Sequence, residues 1–126
     1  MNDKRTFKVI IAGSRRFNDY PLLCEKCDIL LSQKHQTHDI VVISGTARGA
    51  DTLGEQYAYE RGYSVERFPA DWRNLGKQAG IVRNRQMAEV ADALIAFWDG
   101  KSHGTEHMIT HAKSHDLLVR VINCNM

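Results

Sequence analysis

One octapeptide constrains the fold more than any other part of the sequence. Residues 44–51 read Ser-Gly-Thr-Ala-Arg-Gly-Ala-Asp. They follow the apolar β-branched run at 40–43 and precede apolar positions with helical spacing, Leu53, Tyr57 and Ala58. A buried strand, a glycine turn and a helix start point backbone N–H groups at an anion, and the helix dipole adds attraction. The pattern predicts a strand–turn–helix unit that binds a nucleotide-like anion.

Apolar runs and helical patterns alternate along the rest of the chain. Strands are predicted at 7–12, 40–43, 64–68, 93–98 and 117–122. Helices are predicted at roughly 20–34, 50–62, 80–91 and 104–115, with Gly62 as a C-terminal cap. Residues 69–78 are predicted to be irregular.

This alternation predicts the α/β class, with a five-stranded parallel sheet covered by helices on both faces. Right-handed crossovers favour a doubly wound, Rossmann-like fold, for which we infer the strand order 3-2-1-4-5. Ligands of such sheets bind outside the carboxyl ends of the strands where the order reverses. The 126 residues suit a single domain, 1–126.

Composition excludes several classes of protein. The net charge of +2 is too small to argue for nucleic acid by itself. No segment is long and apolar enough to span a membrane, and no signal-peptide pattern is present. Three cysteines without such a signal suggest a reducing cytoplasm. We therefore expect a cytoplasmic protein that does not act at a membrane.

Within the octapeptide, the candidate ligand contacts are Gly45, Thr46, Arg48, Gly49 and Asp51. Gly45 and Gly49 suit backbone positions that a side chain would block. Arg48 places a guanidinium at the helix mouth, where it suits phosphate. Asp51 either caps the helix, orients Arg48 or accepts a ribose hydroxyl.

Two further turns are expected to reach the same edge of the sheet. After the first strand, Gly13 allows close backbone approach, Ser14 offers a hydroxyl and an amide, and Arg15 adds a charge. The sequence there is not the G-x-G-x-x-G dinucleotide fingerprint. Gly104 and Thr105 place free amides and a hydroxyl at the start of the fourth helix.

Arg83 and Asn84 open the third helix. A cation at this end of a helix is unfavourable to the dipole, so Arg83 needs an acidic side chain or a ligand phosphate as partner. Trp72, in the irregular segment before it, either stacks on a base or covers the edge of the core.

Two other patterns are interpreted structurally. His103, His107, His111 and His115 lie four apart, a row that drifts by about 40° per step, and we predict a solvated helix face. Cys24 and Cys27 form a C-x-x-C inside a helix, where Cys27 belongs to the apolar stripe. We expect no metal site and no cofactor.

Taken together, these residues resemble the SLOG superfamily, in particular its YspA-type branch. The matching segments are 11–15, 44–51, 68–72, 80–87 and 96–105. The resemblance implies a Rossmann-like fold that binds nucleotides or nucleotide-derived ligands. Relatives of this kind commonly pair through helices, so it also implies a homodimer or a higher homo-oligomer.

The chain also resembles two related families. The DNA-processing protein A family binds single-stranded DNA, and its phosphate contacts would fall on Ser14, Arg15, Arg48 and Arg83. The LOG-type phosphoribohydrolases cleave the N-glycosidic bond of nucleoside monophosphates, and their arginine matches Arg83. Their catalytic glutamate falls on Met108, whereas the nearby acid, Glu106, points about 200° away.

Three functions follow as hypotheses. The first is binding of a nucleotide or nucleotide-derived ligand, such as an NAD- or ADP-ribose-related molecule, by a sensor, carrier or sequestering protein. The second is a LOG-type N-glycosidic hydrolase, whose catalytic group would be sought among Arg83, Glu106, Asp51 and Asp71. The third is binding of single-stranded DNA, against which the small net charge argues.

Overall fold

Five parallel strands form one sheet in the order β3-β2-β1-β4-β5 in the computed structural model, which describes residues 5–125. The strands are β1 (Arg5–Gly13), β2 (His38–Ser44), β3 (Ser64–Arg67), β4 (Ala93–Trp98) and β5 (Leu118–Asn123). The helices are α1 (Tyr20–Leu31), α2 (Lys34–Thr37), α3 (Ala50–Arg61), α4 (Trp72–Leu75), α5 (Ala79–Val90) and α6 (His103–Ser114), with a 3₁₀ turn at Gly76–Gln78. The predicted fold class and strand order are confirmed.

The sheet is buried on both faces because successive side chains of the central strands enter two different cores. Val9 and Ile11 of β1 pack in the core that also buries residues of α1 and α3, while Ile10 and Ala12 pack in the core that buries residues of α5 and α6. A Cβ on Gly54 would lie 2.8 Å from the Ile11 side chain, so this glycine lets α3 pack closely on β1.

The first predicted helix is divided in the structure. It ends at Leu31, a separate turn of helix forms α2, and β2 begins two residues earlier than expected. Ser32 donates its hydroxyl to the Ile29 carbonyl, a local hydrogen bond of the kind that competes with continued helix. The other predicted helix and strand ends lie within two residues of the observed ones, and Gly62 caps α3 with φ 75°.

The segment predicted to be irregular, 69–78, contains α4 and the 3₁₀ turn. Asp71 caps α4 by accepting a hydrogen bond from the Asn74 backbone N–H at 3.2 Å. A single capped turn is too short to show helical periodicity in a sequence.

Two further findings concern the apolarity of the helices and the state of the C-x-x-C cysteines. In residues 5–125 no helix combines the length and apolarity needed to cross a bilayer. Cys27 is buried in the core, where burial raises the pKa of its thiol, and Cys24 is not bonded to it.

Candidate functional site

A cavity of about 650 Å³ opens beside the carboxyl ends of β1 and β4, the strands between which the chain order reverses. Its walls come from the turns after β1 and β2, the start of α3, α4 with the 3₁₀ turn, α5, and the first turns of α6. The residues that line it are Ala12, Gly13, Ser14, Arg15, Arg16, Ala47, Asp51, Trp72, Lys77, Gly80, Ile81, Arg83, Asn84, Met87, Ser102, His103, Gly104, Thr105, His107 and Met108.

Nine of the predicted ligand contacts line this cavity, and four do not. The nine are Gly13, Ser14, Arg15, Asp51, Trp72, Arg83, Asn84, Gly104 and Thr105. The other four, Gly45, Thr46, Arg48 and Gly49, belong to the turn after β2, which we call the glycine turn (residues 45–49).

The glycine turn is held by the protein's own polar groups. Arg83 donates a hydrogen bond from Nη1 to the Gly45 carbonyl. Asp51 accepts one from the Ala47 N–H at 3.1 Å. A Cβ on Gly45 would lie 2.7 Å from Arg83 Nη1 and 2.8 Å from Asp51 Oδ2. Gly45 is therefore needed because the arginine and the carboxylate approach it so closely.

Asp51 does not act as the N-terminal cap that was considered for it. The cap position of α3 is Gly49, and no side chain bonds there. Asp51 is instead buried, and burial raises its pKa to about 6, against the opposing effects of the Ala47 amide and Arg83. Burial also lowers the pKa of Arg83. Both groups are thus costly to charge here and favour each other's charged form.

Gly49 joins the glycine turn to the turn after β1. It has a φ of 78°, and a Cβ there would lie 2.6 Å from the Arg15 carbonyl oxygen. The next residue, Ala50, donates its N–H to the Ser14 carbonyl at 3.4 Å. The close approach that this glycine allows is to protein backbone.

Ser14 was expected to offer its amide and hydroxyl to a ligand; within the protein, the amide donates one hydrogen bond and the hydroxyl oxygen accepts another. Its N–H donates to the Phe97 carbonyl at 3.0 Å, and its Oγ accepts from Ser102 Oγ at 2.9 Å. Asp99 accepts from the amides of Lys101 and Ser102, and these bonds lower the pKa of Asp99 to about 2. Ser14 therefore anchors the loop that leads into α6.

The start of α6 remains open to the cavity. The first intrahelical bond joins the Glu106 N–H to the Ser102 carbonyl, so the N–H groups of His103, Gly104 and Thr105 lie in the first turn, where helix geometry provides no backbone partner. Gly104 is exposed, and a Cβ there would meet nothing within 4 Å. These amides are the part of the site best suited to an anion.

Asn84 connects α5 to α6 behind this opening. Its Oδ1 accepts from Arg83 Nε at 3.0 Å, and its Nδ2 lies 3.3 Å from the Gly104 carbonyl. The same Nδ2 lies 3.2 Å from His107 Nδ1. Arg83 and Asn84 thus act as one unit that spans the glycine turn and the start of α6.

His107 corrects the expectation of a solvated histidine row. It is half-buried, lines the cavity and packs against His111, with 4.3 Å between ring centroids and 56° between the ring planes. The sequence argument placed it by the apolar stripe of α6 alone, without the neighbouring α5 that covers its flank. Among residues 5–125, no group of three or more His, Cys, Asp or Glu is placed to hold a metal ion.

Two exposed side chains differ in their relation to the cavity. Trp72 is 52% exposed and lines it, beside Gly80 of α5. Arg48 is also exposed but is not a lining residue. Sequence reasoning missed the cavity cations Arg16 and Lys77, which lie beside predicted site segments and carried no motif of their own.

The four residues considered for acid–base catalysis differ in whether they line the cavity. Asp51 and Arg83 line the cavity, and Met108 is a buried part of its wall. Glu106 is exposed and lies outside the lining, as does Asp71, which caps α4.

A doubly wound parallel sheet with a cavity at its reversal point defines a Rossmann-like domain. The sequence profile of the YspA, cpYpsA-related SLOG family matches residues 7–75. The chain is also 36% identical to the Gene 61 protein of Mycobacterium phage D29, over 84% of this chain and 88% of that protein. The chain belongs to the YspA, cpYpsA-related SLOG family, and the expected resemblance is confirmed.

Two solved structures have a similar fold. DNA processing protein A from Streptococcus pneumoniae gives a TM-score of 0.70 at 17% identity, covering 96% of this chain and 51% of that one. DNA processing protein A from Helicobacter pylori, described for its single-stranded DNA binding mode, gives a TM-score of 0.63 at 21% identity, covering 91% and 64%. The chain thus spans between half and two thirds of these neighbours, which share its fold.

Proposed function

We propose that the chain binds a nucleotide or nucleotide-derived ligand at the carboxyl edge of β1 and β4, as a sensor, carrier or sequestering protein. The observation that carries this proposal is one cavity that combines three features: the cations Arg15 and Arg83, the amides at the start of α6, and the exposed indole of Trp72. Membership of the SLOG family supports the general class of ligand.

The size and chemistry of the cavity suit such a ligand. Its volume of about 650 Å³ lies within the range typical of small-molecule sites, roughly 300–1,000 Å³. A guanidinium and free helix amides favour phosphate. An exposed indole favours stacking by a base.

The test is a binding panel of AMP, ADP-ribose, NAD and pyrophosphate, measured by calorimetry and thermal shift. Arg15→Ala should weaken binding of the best of these by about tenfold to a hundredfold, since a hydrogen bond to a charged group contributes roughly 1.5–3 kcal/mol. Lys113→Ala is the matched control, because it removes one cation from the last turn of α6, outside the cavity lining. Absence of binding, or equal losses in both variants, would contradict the proposal.

Single-stranded DNA is the second candidate, and the position of Arg48 favours testing it. Arg48 is exposed outside the cavity, so a mononucleotide held in the cavity would not need it, whereas a longer strand running past the glycine turn would contact it. The Helicobacter pylori neighbour binds single-stranded DNA. We expect Arg48→Ala to leave AMP affinity unchanged and to weaken oligo-dT binding, with a reduced salt slope, only if DNA is the ligand.

Hydrolysis of an N-glycosidic bond is the third candidate. Asp51 is a carboxyl group in the cavity wall with a pKa of about 6, a value suited to proton transfer near neutral pH. Chromatography should detect release of free base from nucleoside monophosphates if the chain is such an enzyme, and Asp51→Asn should abolish that release.

Homo-oligomerisation and a cytoplasmic location are further predictions, of which sedimentation tests the first.

A further inference from the structure

The orientation of the Asn84 amide is fixed by its neighbours. A guanidinium can only donate hydrogen bonds, so the Asn84 atom 3.0 Å from Arg83 Nε must be the oxygen. The Gly104 carbonyl can only accept, so the atom 3.3 Å from it must be the nitrogen. Both assignments agree, and Asn84 is only 6% exposed, with little space for an alternative.

The amide orientation in turn fixes the tautomer of His107. Asn84 Nδ2 is a donor, so His107 Nδ1, at 3.2 Å, must accept from it. A neutral imidazole that accepts at Nδ1 carries its proton on Nε2. The residue lines the cavity, and with Nδ1 bonded to Asn84 its second ring nitrogen, Nε2–H, is the remaining donor.

The surroundings keep this ring neutral. His111 and Arg85 lie near it along α6 and α5. The cavity wall adds further basic groups, namely Arg15, Arg16, Lys77, Arg83 and His103, with Asp51 as the one carboxylate in that lining. Burial and the two nearby basic groups lower the pKa of His107. The imidazole in the cavity wall is therefore an uncharged donor at neutral pH, in a lining that also contains three arginines.

We propose that His107 is a ligand-binding residue, whose Nε2–H donates a hydrogen bond to a phosphate or hydroxyl oxygen of the nucleotide, and that Asn84 is its positioning residue. The ligand contact rests on the proposed function, whereas the tautomer of His107 rests on the structure alone. It makes Arg83, Asn84 and His107 one relay in which the arginine sets the amide and the amide sets the imidazole.

The tautomer can be measured without any ligand. Two-bond ¹H–¹⁵N correlation on the full chain, near pH 7.5, should show His107 protonated on Nε2 and bare on Nδ1. Exposed His115 serves as the internal contrast, because its Nδ1 lies 3.0 Å from the His111 carbonyl, which can only accept, so this ring should be protonated on Nδ1. In Asn84→Asp the carboxylate accepts from Nδ1–H, so the tautomer should invert. A free protein with His107 protonated on Nδ1 would overturn the relay.

The ligand contact is tested with AMP as the probe. His107→Gln keeps an N–H donor near the position of Nε2, whereas His107→Leu is of similar size and has none. We expect a five- to tenfold loss of AMP affinity, roughly the contribution of one neutral hydrogen bond, in the leucine variant and less than about twofold in the glutamine variant. Thermal melts of both variants check that each is folded.

The outcomes separate this inference from the proposed function. If AMP binds in an Arg15-dependent manner and the two His107 variants bind it equally, the contact is overturned and the proposed function stands. If the wild-type chain binds neither AMP nor the other members of the panel, the ligand role fails together with the proposed function. The tautomer measurement still decides whether Asn84 positions the ring.

Discussion

Two glycine-containing turns at the same edge of the sheet both have sequences that predict anion binding, but their backbone N–H groups differ in whether the protein itself supplies their hydrogen-bond partner. In the glycine turn, the Ala47 N–H donates to Asp51 and the Gly45 carbonyl accepts from Arg83. At the start of α6, His103, Gly104 and Thr105 line the cavity, and helix geometry provides no backbone partner for their first-turn amides. The first turn already holds an anion, the protein's own carboxylate, while the second is the turn that the proposed function assigns to the ligand.

The difference shows that a glycine can serve either of two purposes: support, where other parts of the protein pack against it, or access, where it leaves space beside the cavity. Gly49 is required because backbone of the turn after β1 lies against it, and Gly45 because Arg83 and Asp51 do. At Gly104 the place of the missing side chain is open space. Glycine in a strand-to-helix turn therefore indicates close approach, and only the structure tells whether protein or ligand approaches.

The largest effect should come from Gly49→Ala. The substitution forces an L side chain into φ 78° and places its Cβ 2.6 Å from the Arg15 carbonyl oxygen. We expect a loss of roughly 3 kcal/mol or more in the free energy of unfolding, measured in urea.

Gly104→Ala is the paired control for this prediction. Its Cβ meets nothing and alanine suits a helix better than glycine, so we expect stability unchanged or raised by up to about 1 kcal/mol. The same Cβ enters the lining of the cavity, and AMP affinity should fall. Similar stability losses at both glycines would remove the contrast between support and access.

A second test concerns the anion that the glycine turn already holds. The pKa of Asp51 is raised to about 6 in the folded chain, above the ordinary unfolded value near 3.9. The folded state therefore binds this proton more tightly, and the resulting stabilisation is fully present below about pH 4 and lost as pH rises through 6.

The measurement is the free energy of unfolding from pH 3.5 to 7.5 for the wild-type chain and for Asp51→Asn. The wild-type value minus the variant value should fall between about pH 4 and 6, by an amount on the order of 1.4 kcal/mol per pKa unit, and then level off. Subtracting the variant's value cancels the contributions of other carboxylates, such as Asp28 and Asp99. Their pKa values are lowered, so their contributions to the free energy of unfolding rise with pH instead of falling. A flat difference would mean that Asp51 is not buried as the structure has it.

The fold could be predicted because its signals are local and repeated. The apolar runs that became β1, β2 and β4 are bounded by turn residues, and the parallel order follows from the helices between them. The one-turn α4 and the division after Leu31 go with local side-chain hydrogen bonds, accepted by Asp71 and donated by Ser32, which the apolar periodicity of a sequence does not show.

The site was predictable in its segments but not in its internal contacts. Sequence reasoning required a partner for Arg83, and the structure supplies the Gly45 carbonyl with Asp51 close by. It predicted a ligand contact for Ser14, but not that the Ser14 amide donates to the Phe97 carbonyl or that its hydroxyl accepts from Ser102. Sequence reasoning placed His107 in solvent because the pattern of α6 alone does not show that α5 packs beside it. Each difference involves contacts between residues far apart in sequence.

The smallest effect, and the sharpest test of the comparison, is expected at Thr46. This β-branched residue has φ 64°, in the left-handed region that suits glycine or asparagine. Its N–H donates to Ser44 Oγ at 3.1 Å, and Ser44 donates to Glu55 at 2.6 Å, so the surroundings hold the strained backbone in place. Thr46→Asn should raise the free energy of unfolding by about 0.5–1 kcal/mol.

Thr110→Asn, at an exposed position of α6, controls for the change of residue type and should alter stability by less than about 0.5 kcal/mol. A loss of stability in Thr46→Asn would mean that the threonine side chain makes a contact worth more than the strain. A stabilised Thr46→Asn variant that binds AMP several-fold more weakly would break the comparison itself. In that case the strained backbone would be shaped for the ligand, and the glycine turn would belong to the binding surface rather than to its support.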